Sequence, residues 1–190
     1  MEFIKTHIPD VIICKPKIIN DERGHFYESY KKSALEEFIG FPLNFIQDNE
    51  AKSTKGVLRG LHYQLPPFAQ TKLVRVIQGS VLDIVVDIRK ESPTFGKQVA
   101  IELNDENKWQ LLVPKGFAHG YVVISETAIF SYKVDNYYNK ESERGIIYND
   151  EHLNINWNFP VNELIISEKD TMQPVFEKAD LFEKATTNNE

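Results

Sequence analysis

The sequence predicts an all-β protein, an antiparallel sandwich or barrel, on three observations. Short runs of branched apolar residues recur through the middle of the chain, glycine, proline and asparagine punctuate them, and helical patterning is scarce. The first element with a clear start is a short helix over 33–39. Ser33 and Glu36 have the spacing of a capping box, in which hydroxyl and carboxylate each satisfy a free backbone N–H. Strands follow over 71–77 and 81–88, flanking Gly79-Ser80 as a two-residue hairpin turn. In the second of these strands Leu82, Ile84, Val86 and Ile88 share one face, while Asp83 and Asp87 point the other way. Further strands are expected over 98–103, 111–113, 120–124 and 128–134. A second helix is expected over 175–184, and the polar residues 185–190 read as a frayed tail.

With 190 residues, 42% hydrophobic and 26% charged, the chain has the content of one globular domain, expected over 1–184. A net charge of −6 argues against a general nucleic-acid or membrane-surface binder. An anionic small substrate stays open, because a few convergent cations create a local positive field. Cys14 is the single cysteine, so an internal disulfide is excluded, which fits a reducing compartment. Charges and Pro9 come too early for a signal-peptide core, and no apolar run approaches membrane-spanning length. The expectation is a cytoplasmic protein that engages neither nucleic acid nor membrane.

Two histidines sit on separate β-rich segments, each introduced by glycine. The run Gly56-Val-Leu-Arg-Gly-Leu-His62-Tyr-Gln64, closed by Gly79, and the run Pro114-Lys-Gly-Phe-Ala-His119 resemble the two motifs of the cupin superfamily. Metal-binding cupins carry a second histidine where Gln64 stands and a carboxylate where Lys72 stands. A protonated lysine offers no lone pair, so a divalent ion loses its ligand set here. What remains is two imidazoles and an ammonium, a group suited to proton transfer, with no metal expected.

The chain as a whole resembles the dTDP-4-dehydrorhamnose 3,5-epimerase family from about residue 1 to 184. The pieces that carry the likeness are Asp21-Glu-Arg-Gly-His-Phe-Tyr-Glu28, Gln47-Asp-Asn49, Arg59-Gly-Leu-His-Tyr-Gln64, Lys72-Leu-Val, and Ser92-Pro-Thr-Phe-Gly96. Further on come the Pro114 motif, Tyr132-Lys, Tyr138, Glu143 and Ser167-Glu-Lys-Asp170. Each is weak alone; together in one order they are specific. The resemblance implies a cupin jelly roll, a homodimer, a dTDP-sugar substrate and no metal or organic cofactor. Two departures stand out: Tyr148-Asn-Asp-Glu151 replaces a Trp-Asn-Asp-Pro segment, and Tyr121 follows Gly120 where phenylalanine is common.

Epimerising a carbon beside a ketone needs a base on one face, an acid on the other, and a cation or donor at the oxygen between them. Imidazole titrates near neutrality, which makes His62 the expected base. The resemblance makes Asp170 its orienting carboxylate, Lys72 the enolate partner and Tyr132 the acid. By pattern alone Tyr132 would be core, alternating with Phe130 and Val134. His119 is assigned to sugar binding or to the enolate, with both open. Arg23, Arg59 and Lys169 match positions that face the substrate, where a guanidinium can take two phosphate oxygens. Gln47, Asn49, Glu28 and Glu143 match polar positions around the nucleotide, Tyr138 is expected among the substrate-binding residues, and Phe26 either stacks on the base or packs in the core. Arg59 and His62 lie an odd number apart and would face opposite ways on a regular strand. Either Gly60 marks a bulge, or Arg59 reaches round the strand edge or serves a partner subunit. The expected reaction is epimerisation at C3 and C5 of a 4-keto-6-deoxyhexose. A C3-only epimerase, a 3,4-ketoisomerase and a non-catalytic sugar-binding cupin are the alternatives.

Overall fold

The computed structural model describes residues 1–183. In chain order the elements are β1 (Glu2–Lys5), β2 (Ile12–Lys15), β3 (Ile19–Asp21), β4 (Gly24–Phe26) and helix α1 (Lys32–Ile39). Then come β5 (Gln47–Thr54), β6 (Val57–Gln64), β7 (Lys72–Gln78), β8 (Ser80–Asp87), β9 (Gln98–Asn104) and β10 (Gln110–Val113). The last are β11 (Phe117–Val123), β12 (Thr127–Val134), β13 (Glu143–Gly145), β14 (Ile165–Ile166) and the one-turn helix α2 (Glu168–Thr171). One sheet has the order β1-β2-β10-β7-β12-β5, and the facing sheet runs β13-β6-β11-β8-β9. All these neighbours are antiparallel, as the jelly-roll expectation requires; β14 alone adds to β6 in parallel. The β3–β4 hairpin pairs only with itself, apart from both sheets.

Three apolar clusters hold this arrangement. Between the sheets lie Val74, Val76, Val81, Val85, Leu111, Phe117 and Phe130 with their neighbours. The outer face of the second sheet buries Leu58, Ile84, Val86, Ile88 and Val122 under Trp157, Phe176 and Phe182 of the C-terminal segment. The outer face of the first sheet buries Ile12, Leu73 and Leu112 under Leu35 of α1. Strand β11 is therefore buried at every residue, and β8 at every residue but Ser80 and Leu82, for the same reason. The alternation read for β8 holds, and the face that bears Asp83 and Asp87 is the one that looks inward between the sheets.

Four expectations need correction. Gly79 does not close a hairpin: β7 pairs with β10 and β12, and β8 with β9 and β11, so the turn carries the chain from one sheet to the other. Both kinds of turn want a glycine at positive φ, here +80°, which is why the sequence signal did not separate them. The capping box does not form. Helix α1 starts one residue early with Lys31 as its N-cap and no side-chain cap, and Glu36 Oε1 instead accepts from Leu43 N at 2.7 Å. The helix expected over 175–184 is only a 3₁₀ turn at Phe176–Lys178. Beyond it Phe182 N and O bond to Ile88 O and Lys90 N, so the backbone pairs with the end of β8 and cannot coil. Lys184 and the tail at 185–190 lie outside the described residues. Finally, β11 begins at Phe117 instead of 120, which puts His119 inside a strand.

The crossing at Gly79 is tight enough to test. A Cβ there would sit 2.1 Å from Thr127 O and 2.5 Å from Ser125 Oγ. With the backbone already at positive φ, Gly79→Ala is expected to cost about 2 kcal/mol or more of stability, read as a lower urea midpoint with an unchanged m-value.

Candidate active site

The site is built where β6 meets β11. Gly60 has φ +131°, and a Cβ on it would lie 2.5 Å from Gly120 Cα, so the two strands touch through glycines. His62 pairs with His119 and Arg59 with Tyr121, which leaves Gly60 and Leu61 on one strand against Gly120 on the other. That slipped register is a bulge. It resolves the parity problem, because Arg59 and His62 line the same cavity.

The cavity, about 590 Å³, lies between the sheets and is lined by Arg59, His62, Lys72, His119, Tyr132 and Asp170, among others. Its size suits a small-molecule site. Ile165 and Ile166 pair with Val57 and Leu58, which sets the start of α2 beside β6. Ser167 caps α2, its hydroxyl accepting from Asp170 N at 3.1 Å. Asp170, only 3% exposed, thus meets His62 with Oδ1 2.6 Å from Nε2. Burial pushes the Asp170 carboxyl up, but hydrogen bonds from His62, Ser167 and the Gly60 backbone outweigh it and hold the pKa below the usual range. A carboxylate so held fixes the imidazole tautomer and stabilises its protonated form.

Lys72 comes from the facing sheet, and its Nζ donates to the His62 carbonyl at 3.4 Å. Burial lowers its pKa to about 8, with Asp83 and Glu143 pulling the other way. The Tyr132 phenol is raised by burial, against the opposing influence of Arg59 and Asn49, so it keeps its proton at neutral pH. His119 has its own carboxylate: Nε2 lies 2.9 Å and 3.0 Å from the oxygens of Asp83, which is fully buried.

Other residues singled out in the sequence form the mouth or the wall. Lys169 lines the cavity and pairs with Glu143 at 2.5 Å, and the Tyr138 hydroxyl donates to Glu143 at 2.8 Å. Gln47 donates to Asn49 at 2.8 Å, and Asn49 lies opposite Tyr132 in the β5–β12 register. Arg23, Phe26 and Glu28 are not brought to the cavity. They sit on or just after the β3–β4 hairpin, with Arg23 paired to Asp21 and Phe26 66% exposed. Gln64 is absorbed by the backbone: it donates to Phe68 O and Tyr137 O and accepts from Asn139 N. The sequence reading missed Asp83 as the partner of His119, Ser167 as the cap beneath Asp170, and Tyr121 as part of the wall. A charged residue inside an apolar strand was the available signal for the first.

Comparison with known proteins follows this geometry. The sequence model of the dTDP-4-dehydrorhamnose 3,5-epimerase family matches residues 5–178. The chain belongs to the dTDP-4-dehydrorhamnose 3,5-epimerase family. The Shigella flexneri enzyme of that name is 54% identical over 182 residues, 96% of this chain and 99% of that protein. The crystal structure of the Elizabethkingia anophelis enzyme superposes with a TM-score of 0.90 at 51% identity, covering 93% of this chain and 97% of that one. A Legionella pneumophila dTDP-6-deoxy-D-glucose-3,5-epimerase, solved in complex with dTDP-4-keto-L-rhamnose, gives a TM-score of 0.92 at 45% identity, covering 97% and 98%. Members of this epimerase family are isomerases, and the antiparallel two-sheet fold is shared with both solved relatives. Among the described residues no helix is long and apolar enough to cross a membrane.

The lowered Lys72 pKa has a signed consequence. Between about 8 and the ordinary 10.5 the unfolded chain holds a proton that the folded chain has released. Stability should therefore rise with pH across that window, and below it the buried charge is a standing cost. Lys72→Met, an apolar side chain of similar length, is expected to flatten this rise and to add about 1–2 kcal/mol at pH 7 by urea titration.

Proposed function

We propose that this chain epimerises C3 and C5 of dTDP-4-dehydro-6-deoxy-D-glucose to give dTDP-4-dehydro-L-rhamnose. One observation carries the reading beyond family membership: a carboxylate-backed imidazole and a protonated phenol reach one cavity from opposite sheets, His62 from β6 and Tyr132 from β12. Inversion needs that opposition. His62 takes the proton from the carbon beside the ketone, and the C–H electron pair moves onto the carbonyl oxygen as an enolate. The Asp170 carboxylate stabilises the imidazolium that results. The Lys72 ammonium, poorly solvated, stabilises the enolate oxygen more strongly than it would in water. Tyr132 delivers its phenolic proton to the opposite face, and the phenolate recovers a proton from solvent. Arg59 and Lys169 are the cations for the diphosphate, His119 with Asp83 supports the sugar, and no metal or organic cofactor is required.

We further propose a homodimer in which the β3–β4 hairpin reaches the partner's cavity. Among the described residues the hairpin's strands pair only with each other and β5 ends one sheet beside the cavity wall, and Phe26 is exposed. Arg23, Phe26 and Glu28 would then serve the neighbouring site.

Incubation with dTDP-4-keto-6-deoxyglucose in deuterated water, followed by NMR, tests the reaction. Exchange at C3 and C5 with formation of the L-lyxo sugar is expected. Exchange at C3 alone would narrow the function to a 3-epimerase, and no exchange would leave a binding protein. His62→Ala should lower exchange on the order of 10²–10⁴-fold, the usual worth of a positioned base. Tyr132→Phe should slow inversion far more than exchange, and parallel losses would remove it as the acid. For the dimer, mixing His62→Ala with Arg23→Ala should restore about a quarter of the parental activity, because half the dimers then hold one complete site. No recovery after subunit exchange would put the hairpin outside the partner's site.

A further inference from the structure

Tyr121 stands in the wall of the cavity, 5% exposed, with its ring stacked on Phe130 at a centroid distance of 4.1 Å. Its hydroxyl is the single fully buried side-chain polar atom, among the described residues, that has no hydrogen-bond partner. Such groups are rare in folded proteins, since an unsatisfied buried hydroxyl keeps the full cost of its desolvation. A phenylalanine would fill the same place without that cost. The hydroxyl therefore calls for an explanation beyond packing.

Its surroundings supply one. Tyr121 and Arg59 are direct cross-strand partners, so their side chains leave the sheet side by side on the inner face. Arg59 Nε donates to Ser53 Oγ at 3.2 Å, from the inward-facing row of β5. A serine hydroxyl has two lone pairs, so Ser53 can accept a second donor while keeping the bond from Arg59. Burial raises the Tyr121 pKa, opposed by Arg59 and by Ser53, so the hydroxyl is near Ser53 although the pair does not reach hydrogen-bond geometry.

We propose that Tyr121 is a positioning residue for Arg59: as the substrate diphosphate binds, the Tyr121 hydroxyl donates to Ser53 Oγ, and Ser53 then holds the guanidinium against the phosphates. This inference rests on the reading of Arg59 as a diphosphate cation. Completing the bond on binding removes a cost that the wall otherwise carries, so it tightens recognition of the diphosphate in particular. The nucleoside part of the ligand gains nothing from it.

Calorimetric titration of the full chain with dTDP, and competition binding of thymidine, separate these effects. Tyr121→Phe is expected to weaken dTDP about three- to tenfold, the worth of one hydrogen bond, and to leave thymidine unchanged. Its thermal midpoint should equal or exceed the parent's, because no existing bond is lost. Ser53→Ala should weaken dTDP similarly, and the double variant should be no worse than either single one. Unchanged dTDP affinity in Tyr121→Phe, with Arg59→Ala still weakened, would overturn the inference alone. Equal weakening of dTDP and thymidine would reduce Tyr121 to cavity shape and also overturn it. Full dTDP affinity in Arg59→Ala would overturn the reading of Arg59, and the inference with it.

Discussion

The close approach of β6 and β11 is the constraint on which the rest of the site depends. Where Gly60 faces Gly120 there is no room for a side chain on the first, and the slip in register follows from that contact. One extra residue on β6 turns Arg59 inward alongside His62, which a regular strand forbids. The same bulge presents the Gly60 backbone N–H to Asp170. Arg59, His62 and the carboxylate behind His62 are thus aligned by one piece of backbone. Replacing either glycine would disturb all three at once.

Electrostatics in the cavity are organised as two imidazole–carboxylate pairs and a buried ammonium. His62 with Asp170 and His119 with Asp83 are adjacent across the β6–β11 pair, while Lys72 approaches from the facing sheet. Burial lowers the pKa of the Lys72 ammonium to about 8, so the fold carries that charge at a cost to stability. This is the usual trade at an active site: groups that would be better hydrated for stability are kept poorly hydrated for chemistry.

Much of this was legible in the sequence, and the failures have physical causes. Strands β9, β10 and β12 announced themselves through branched apolar runs between turn residues, and the alternation in β8 identified its two faces. His62, Lys72, His119, Tyr132, Arg59, Lys169 and Asp170 were named from motifs, and they line one cavity. The pairing of strands was not legible. Gly79-Ser80 has the composition of a hairpin, yet it crosses between sheets, because local turn preference says nothing about which strand will accept the hydrogen bonds. The capping box failed since Glu36 found a better donor in Leu43 N. Strand β14 is two residues long, too short for any period, and its pairing with β6 helps to bring Asp170 to His62.

The separation of His62 from Asp170, 108 residues along the chain, has a bearing on biosynthesis. The strands on the paths of both main sheets lie within residues 2–145, which also carry Lys72, Tyr132, His62 and His119 of the cavity. The carboxylate that meets His62 lies beyond that span. That carboxylate arrives on the segment that also covers the apolar outer face of the second sheet through Trp157, Phe176 and Phe182. In N-to-C-terminal synthesis Asp170 is thus made after Lys72, Tyr132, His62 and His119. The contacts that cover the apolar outer face of the second sheet therefore arrive on the same segment as the carboxylate that completes the His62–Asp170 pair.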